Sequence, residues 1–359
     1  MTTIAIVLML TVACLGIGTV RSVPQRFIKR RQRKAGRYIT RACVAATAGI
    51  ALAAVGVTGA SASSAAPRAL QTARVTGAGT SLAATSPGAQ LWVARYDGFG
   101  SGGNFAHSVA VSQDGKTVFV TGSSLGTNNG YDYATVAYSA ATGAQLWVKR
   151  YNGASNGERG ANSVAVSGSK VFVTGSSYGG STANYDYATV AYSAATGAQL
   201  WVKRYDGPGS GDDQAYSVAV SPGGGTLFVT GYTDTSSTSA GYDYTTIAYS
   251  AATGAQLWLA RYNGPGNFTD EAYSVAVSPS GSTVYVTGFS YGCGCGGLDY
   301  ATVAYNAATG AQLWVSRYDG AGRANNAFSV AVSPTTGTVF VTGDSADGGF
   351  DYATIAYHG

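Results

Sequence analysis

The sequence predicts an all-β fold built from one repeated sheet, and three observations carry that prediction. The tryptophans of the string GAQLW stand at Trp92, Trp147, Trp201, Trp258 and Trp314, spaced 55, 54, 57 and 56 residues apart. Self-similarity at so regular a period is the signature of a repeat architecture. Each unit holds four short segments rich in Val, Tyr, Phe and Thr, parted by Gly, Ser, Asn and Asp, which is the composition of strands and turns. No helix-length apolar period follows Ala60. Four antiparallel strands per unit is the pattern of a propeller blade, so the expected fold is a five-bladed β-propeller.

Ahead of the repeats, residues 1–60 read as a leader. Met1–Val20 is an apolar run long enough to cross a bilayer. It is either the product of a start site placed too far upstream or a membrane anchor. Arg26–Arg41 lies in a basic stretch over 21–41, and Ala42–Ala60 is an apolar, small-residue segment. Ser61–Pro67 then offers small residues suited to signal-peptidase cleavage. Residues 61–87, rich in Ala, Ser, Thr and Gly, read as a cleavage region and spacer. The expected destination is outside the cell or in its envelope, with membrane contact only through an uncleaved leader.

The leader also explains the net charge of +5. Residues 1–74 hold 11 Lys/Arg and no Asp/Glu, whereas residues 75–359 hold 11 Lys/Arg against 17 Asp/Glu, a formal charge of −6. A phosphate-binding footprint belongs on the folded body, so nucleic acid is excluded as a partner.

The propeller is expected over 88–359. In its first full unit the strands are His107–Ser112, Thr117–Ser123, Asp132–Tyr138 and Ala144–Tyr151. QDGK turns between the first two, and SAATG between the last two leaves Gly143 free to take positive φ. The first copy begins with its fourth strand alone, Ala89–Tyr96, and the last stops after its third, Asp351–Tyr357. A ring explains this split: the N-terminal strand completes the last blade and removes both free edges. The chain is expected to be monomeric.

SVAVSQDGKTVFVTGSS followed by YDYATVAY resembles the bacterial β-propeller repeat known as SBBP. VAYSAATGAQLW is similar to the tryptophan-docking motif of quinoprotein propellers, with Ala137, Thr142, Gly143 and Trp147 at matching places. The resemblance covers 88–359 and implies a propeller. Ser139 stands where the quinoprotein motif has Asp, and those enzymes use eight blades, so PQQ is not expected here.

Positions shared by all copies are expected to hold the blades together. These are the five tryptophans, the Asp of each DY pair (Asp132, Asp186, Asp243, Asp299 and Asp351), and an Arg three residues after each Trp. Each Trp should wedge against a neighbouring blade, and each Arg should face the Asp or Tyr of DY. Function is expected where the copies differ, in the loops entering the first strand and those joining the second and third, which open on one face. The entering loops carry Asn104, Glu158, Arg159, Asp212, Asp213, Asp270, Glu271, Asn325 and Asn326. These residues are either a ligand-binding set, a source of paired carboxylates, oxygen ligands for a cation, or solvated caps of strand starts. The other loops, rich in Tyr, Ser, Asn and Gly, suit adaptable hydrogen bonding around aromatic platforms.

Asp344, Asp347 and Asp351 form a weaker Ca²⁺ candidate, lacking EF-hand spacing. Cys293 and Cys295 are read as a local disulfide or two thiols, since a pair of cysteines falls short of a zinc set. With only His107 and His358, the chain is poorly supplied for a Ser–His–Asp triad or a multi-histidine metal centre. The favoured expectation is a non-catalytic exported module whose loop face binds a glycan, polymer or protein. The rival is a propeller enzyme, either glycoside-active through Asp212/Asp213 with Asp270/Glu271 or a quinoprotein-like oxidoreductase.

Overall fold

Alternation of Val, Phe and Thr across Gly-marked turns gives strands that bury both faces in the three middle sheets, each of which lies between two others. The computed structural model describes residues 86–99, 103–126, 130–153, 159–179, 184–209, 211–235, 241–292, 297–320, 324–346 and 349–359. The expected leader, most of the spacer, Glu158, Cys293, Cys295 and Asp347 lie outside these residues, as does the side chain of Arg159. All regular elements among the described residues are strands.

The first sheet is β1 (Asn104–Val111), β2 (Thr117–Leu125), β3 (Tyr131–Ser139) and β4 (Gln145–Tyr151). The second is β5 (Arg159–Ser167), β6 (Lys170–Tyr178), β7 (Tyr185–Ser193) and β8 (Gln199–Tyr205). β9 (Gln214–Val220), β10 (Thr226–Asp234), β11 (Tyr242–Ser250) and β12 (Gln256–Tyr262) make the third. The fourth is β13 (Asp270–Val277), β14 (Thr283–Tyr291), β15 (Leu298–Asn306) and β16 (Gln312–Tyr318). β17 (Asn325–Val332), β18 (Val339–Ala346) and β19 (Phe350–Tyr357) make a fifth sheet of three strands. Within each sheet the strands pair antiparallel in sequence order. The strand positions read from the sequence agree with these to within a few residues.

Each first strand carries a bulge, between Ala106 and Ser108 in β1. Gly122 faces it so closely that a Cβ there would sit 1.9 Å from the Phe105 carbonyl oxygen, which explains the glycine of every VTG string.

Four apolar cores separate the five sheets. Phe119, Tyr133 and Trp147 pack against Ala161, Val164, Val173 and Val190 between the first two. Equivalent sets fill the second, third and fourth junctions. Three hydrogen bonds repeat at these junctions. The indole of Trp147 donates to the Ala194 carbonyl at 2.9 Å, the hydroxyl of Tyr133 to the Ala188 carbonyl at 3.1 Å, and the Val164 amide to Ser108 Oγ at 3.2 Å. Trp201 and Trp258 donate likewise to Ala251 and Ala307. Gly197, at φ 68°, lies under the Trp147 ring, where a Cβ would come within 2.8 Å of it. A side chain at Gly197 would be strained and would unseat the tryptophan.

The closing strand differs from expectation. Residues 89–96 form no ladder with β19, and β19 has a single neighbour, β18. Among the described residues, the contacts that hold the segment run through its side chains. Trp92 donates to the Ala140 carbonyl at 2.9 Å and lies over the first sheet as the later tryptophans lie over the sheets that follow them. The fifth sheet consequently leaves Phe340, Phe350 and Tyr352 exposed.

Candidate functional site

Registers place Asn104 opposite Ser124 and Leu125 opposite Tyr131, so the entering loops and the loops between second and third strands open at the same end of each sheet. The same pairing recurs in the later sheets, where Asp270 stands opposite Ser290 and Tyr291 opposite Leu298. This end is the variable face.

Four residues at the starts of first strands, Asn104, Asp213, Asp270 and Asn325, turn inward as hydrogen-bond acceptors. Asp213 is buried and accepts from the Gly207 amide at 2.6 Å and the Asp234 amide at 3.1 Å. Asp270, also buried, accepts from Gly264 at 2.6 Å and Tyr291 at 3.1 Å. Asn104 accepts from Ser124 Oγ at 2.5 Å, and Asn325 accepts from Ser345 Oγ at 2.7 Å while donating to the Leu298 carbonyl. One column therefore fastens the link from the preceding sheet to the end of the second strand. Burial pushes the Asp213 carboxyl up to about 7, against the pull of its two amide donors, and raises Asp270 as well. Asp212 accepts from the Tyr185 amide at 3.2 Å. Asn326 pairs in register with Asp344, whose carboxyl is raised by burial. Asp351 lies on the exposed strand β19.

Glu271 differs from this column. It is partly buried, accepts from the Tyr273 hydroxyl at 2.8 Å, and is pushed up to about 7 by loss of solvent. Around it runs a set of aromatic rings. Tyr216 lies 5.2 Å from Tyr273 and 5.7 Å from Tyr232, and Tyr232 lies 4.5 Å from Tyr242. Tyr273 in turn meets Phe289 and Phe328, each at 5.8 Å. The rings thus join the third, fourth and fifth sheets. Burial first, then the Asp212 charge, pushes the Tyr242 hydroxyl up to about 12, so it remains a donor at neutral pH. A cleft of 370 Å³ extends the same face over the first three sheets, lined by Phe105, Tyr131, Tyr185, Ser176 and Gln214. A second groove of 510 Å³ lies at the opposite end among turn residues such as Gln113, Asp114 and Gly168. Those turns serve the hairpins, as where Asp114 accepts from Ser112 Oγ and the Lys116 amide.

The Tyr-rich loops were expected to offer aromatic platforms, and Tyr232 and Tyr242 come from one of them, but Tyr216, Tyr273 and Phe328 were not singled out. Their signal was present in the residue before each SVAVS, where His107 and Asn162 give way to Tyr216, Tyr273 and Phe328. His107 and Asn162 reach the next sheet instead, His107 Nδ1 meeting the Ala161 carbonyl at 2.7 Å and Asn162 donating to that of Ala215 at 2.8 Å.

The repeated Arg and Asp meet below this face. Arg150 Nη2 binds Asp132 at 3.1 Å, Arg204 binds Asp186 at 2.5 Å, and Arg317 binds Asp299 at 2.7 Å. Arg150 also donates to Ser124, Leu125 and the Tyr96 hydroxyl, tying three elements together. In the third sheet Thr235 donates to Asp243 at 2.9 Å, and Arg261 reaches the Tyr205 hydroxyl.

Repeated four-stranded antiparallel sheets, stacked through their faces with loops gathered at one end, define a β-propeller repeat protein. The family model described as outer membrane protein assembly factor BamB matches residues 42–211 and again residues 133–352. The chain belongs to this family of PQQ-like propeller repeats. Several solved propellers are similar to the chain at low identity. BamB from Moraxella catarrhalis is 15% identical with a TM-score of 0.32, the match covering 70% of this chain and 82% of that one. The propeller domain of the Trilobed protease from Pyrococcus furiosus, described as having an open velcro topology, is 11% identical with a TM-score of 0.42 over 71% and 70%. The periplasmic gluconolactonase PpgL of Pseudomonas aeruginosa is 16% identical with a TM-score of 0.43 over 71% and 70%. No curated protein matches the chain.

Proposed function

We propose that the chain is an exported propeller of the cell envelope that binds a glycan or similar polymer on its variable face without catalysing a reaction. The continuous run of rings from Tyr242 through Tyr232, Tyr216 and Tyr273 to Phe328 carries this reading. Aromatic faces flanked by carboxylate and amide groups suit sugar rings, which present both apolar C–H faces and hydroxyls. Glu271 and Asp212 flank the rings, and Gln214 and Ser176 line the adjoining cleft. Asp213 and Asp270, the acids expected to serve a glycosidase, are held by backbone amides, which supports binding over hydrolysis. A protein ligand is the second reading, favoured by the assembly role in the family description.

We also propose that five blades close into a ring. Repeating the register Ala137↔Trp147 sets Ala356 opposite Trp92 and Tyr352 opposite Tyr96. Arg95 would then meet Asp351 as Arg150 meets Asp132. The contact from Trp92 to Ala140 already supplies half of that join.

The test is glycan-array binding by the purified chain, with Tyr216→Ala and Tyr242→Ala in parallel. Retained glycans whose signal drops at least tenfold in both variants support the reading. Silence on every glycan, or hydrolysis of a bound one, overturns it.

A further inference from the structure

We propose that Asp186, Asp206 and Asp213 form a Ca²⁺ site where the second sheet meets the third. Asp186 lies on β7, Asp206 follows β8, and Asp213 precedes β9, so two sheets and their link converge there. Each offers a carboxylate oxygen, and these oxygens all lie within 4.8 Å of one another.

Carboxylates crowd on many surfaces without binding anything, so the state of Asp186 matters most. It is 4% exposed. Its Oδ2 is paired with Arg204, but its Oδ1 is buried with no hydrogen-bond partner among the described residues. A carboxylate oxygen withdrawn from water and given no donor is costly. An ion arriving beside it would supply the missing partner.

Comparison with the other junctions sharpens the point. The corresponding residues are Asp132, Asn152 and Arg159 at the first junction, Asp243, Asn263 and Asp270 at the third, and Asp299, Asp319 and Asn325 at the fourth. Each of these replaces at least one acid with an amide or a cation. Only the second junction assembles three carboxylates, and Arg204 is the guanidinium that pairs there. The excess negative charge matches a divalent cation.

The donor set selects among metals. Oxygen-only ligands favour hard cations over zinc or copper. Ca²⁺ binds oxygens at about 2.3–2.6 Å, so opposite ligands sit roughly 4.6–5.2 Å apart, and a set within 4.8 Å can be spanned without rearrangement. Mg²⁺ holds its ligands at about 2.0–2.1 Å and needs a tighter cage. Asp206 is exposed and gives the ion a way in, while Asp213 is already oriented by the Gly207 and Asp234 amides.

The experiment is calorimetric titration of the EDTA-treated full chain with CaCl₂, then with MgCl₂, for wild type and Asp206→Asn. That variant carries the amide that Asn152 and Asn263 supply at other junctions, so it should fold, and its unfolding temperature in EDTA checks this. One Ca²⁺ per chain is expected, with a dissociation constant of roughly 10⁻⁴–10⁻³ M or tighter. Asp206→Asn should weaken it at least tenfold, and Mg²⁺ should bind at least tenfold more weakly than Ca²⁺. No heat up to about 10 mM Ca²⁺ overturns the proposal, as does equal affinity in Asp206→Asn or equal affinity for Mg²⁺.

Discussion

Tyr300 and Tyr352 occupy the same place in successive sheets, yet one is sealed and the other is 94% exposed. Tyr300 donates to the Ala353 carbonyl across the fourth junction, as Tyr133, Tyr187 and Tyr244 do across theirs. Tyr352 would make the fifth such bond only if the last sheet met the first. The difference teaches that the residue itself carries little stability; its neighbour supplies it. Each blade is a half-finished core whose other half is the next blade, which is why repeats of this kind need company. The fifth sheet's outward face and the unpaired edge of β19 are the places where company is missing.

Mutating the junction residues tests this most strongly. Trp258→Ala and Tyr244→Ala should each cost about 3–5 kcal/mol in urea unfolding, since both are buried and bonded across a filled junction. Ring closure predicts a comparable loss for Tyr352→Ala. A loss below ~0.5 kcal/mol, the scale of an ordinary surface change, would mean the ring stays open.

The Arg network offers the next largest contrast. Removing Arg317 strands a mostly buried Asp299, so Arg317→Ala should cost about 2–3 kcal/mol. Arg261→Ala should cost under ~1 kcal/mol, because Thr235 already satisfies Asp243 and Arg261 is exposed. Arg95→Ala belongs with Arg317→Ala if Asp351 receives it, and with Arg261→Ala if it does not.

Two carboxyls then predict a pH effect, to be measured in EDTA. Asp213 and Glu271 titrate near 7 in the fold and near 4 unfolded. The folded chain thus binds more protons across that window, so stability should fall as pH rises from about 4 to about 7 and level off above. The drop should be several kcal/mol, at about 1.4 kcal/mol for each pKa unit by which either carboxyl is raised. Glu271→Gln should remove part of it while keeping an acceptor for the Tyr273 hydroxyl. A flat profile in the wild type would show that neither carboxyl is desolvated as the geometry requires.

How much of this was legible in the sequence depends on what kind of fact it was. The strands and turns were readable because five copies repeat one alternation and one turn glycine, so every position is stated several times. The Arg–Asp pairs were half readable: spacing brought them to neighbouring strands, but Thr235 displacing Arg261 from Asp243 depends on a loop found only in the third copy. The entering-loop acids were left open between binding, paired carboxylates, a cation and strand-start caps, since polarity alone does not say whether a side chain faces solvent or its own backbone. Asp213 and Asp270 face backbone. The three-carboxylate junction was hidden for another reason. Asp186 reads as one of five identical structural residues, and only the packing of two sheets brings Asp206 and Asp213 beside it.

The smallest contrast lies in the threonine rungs. Thr287 and Thr302 share a hydrogen bond at 3.0 Å between the second and third strands of the fourth sheet, and both are buried. Thr342 and Thr354 make the same bond at 2.9 Å in the fifth sheet, where the rung is exposed. Thr287→Val leaves Thr302 without its buried hydroxyl partner and should cost about 1 kcal/mol. In an open fifth sheet water replaces the lost hydroxyl at Thr354, so Thr342→Val should cost only a few tenths of a kcal/mol. Closure would cover the rung and bring the two losses together. Equal values, measured by the same urea midpoints, would place the fifth sheet inside a ring even where larger mutations disrupt the fold too far to compare.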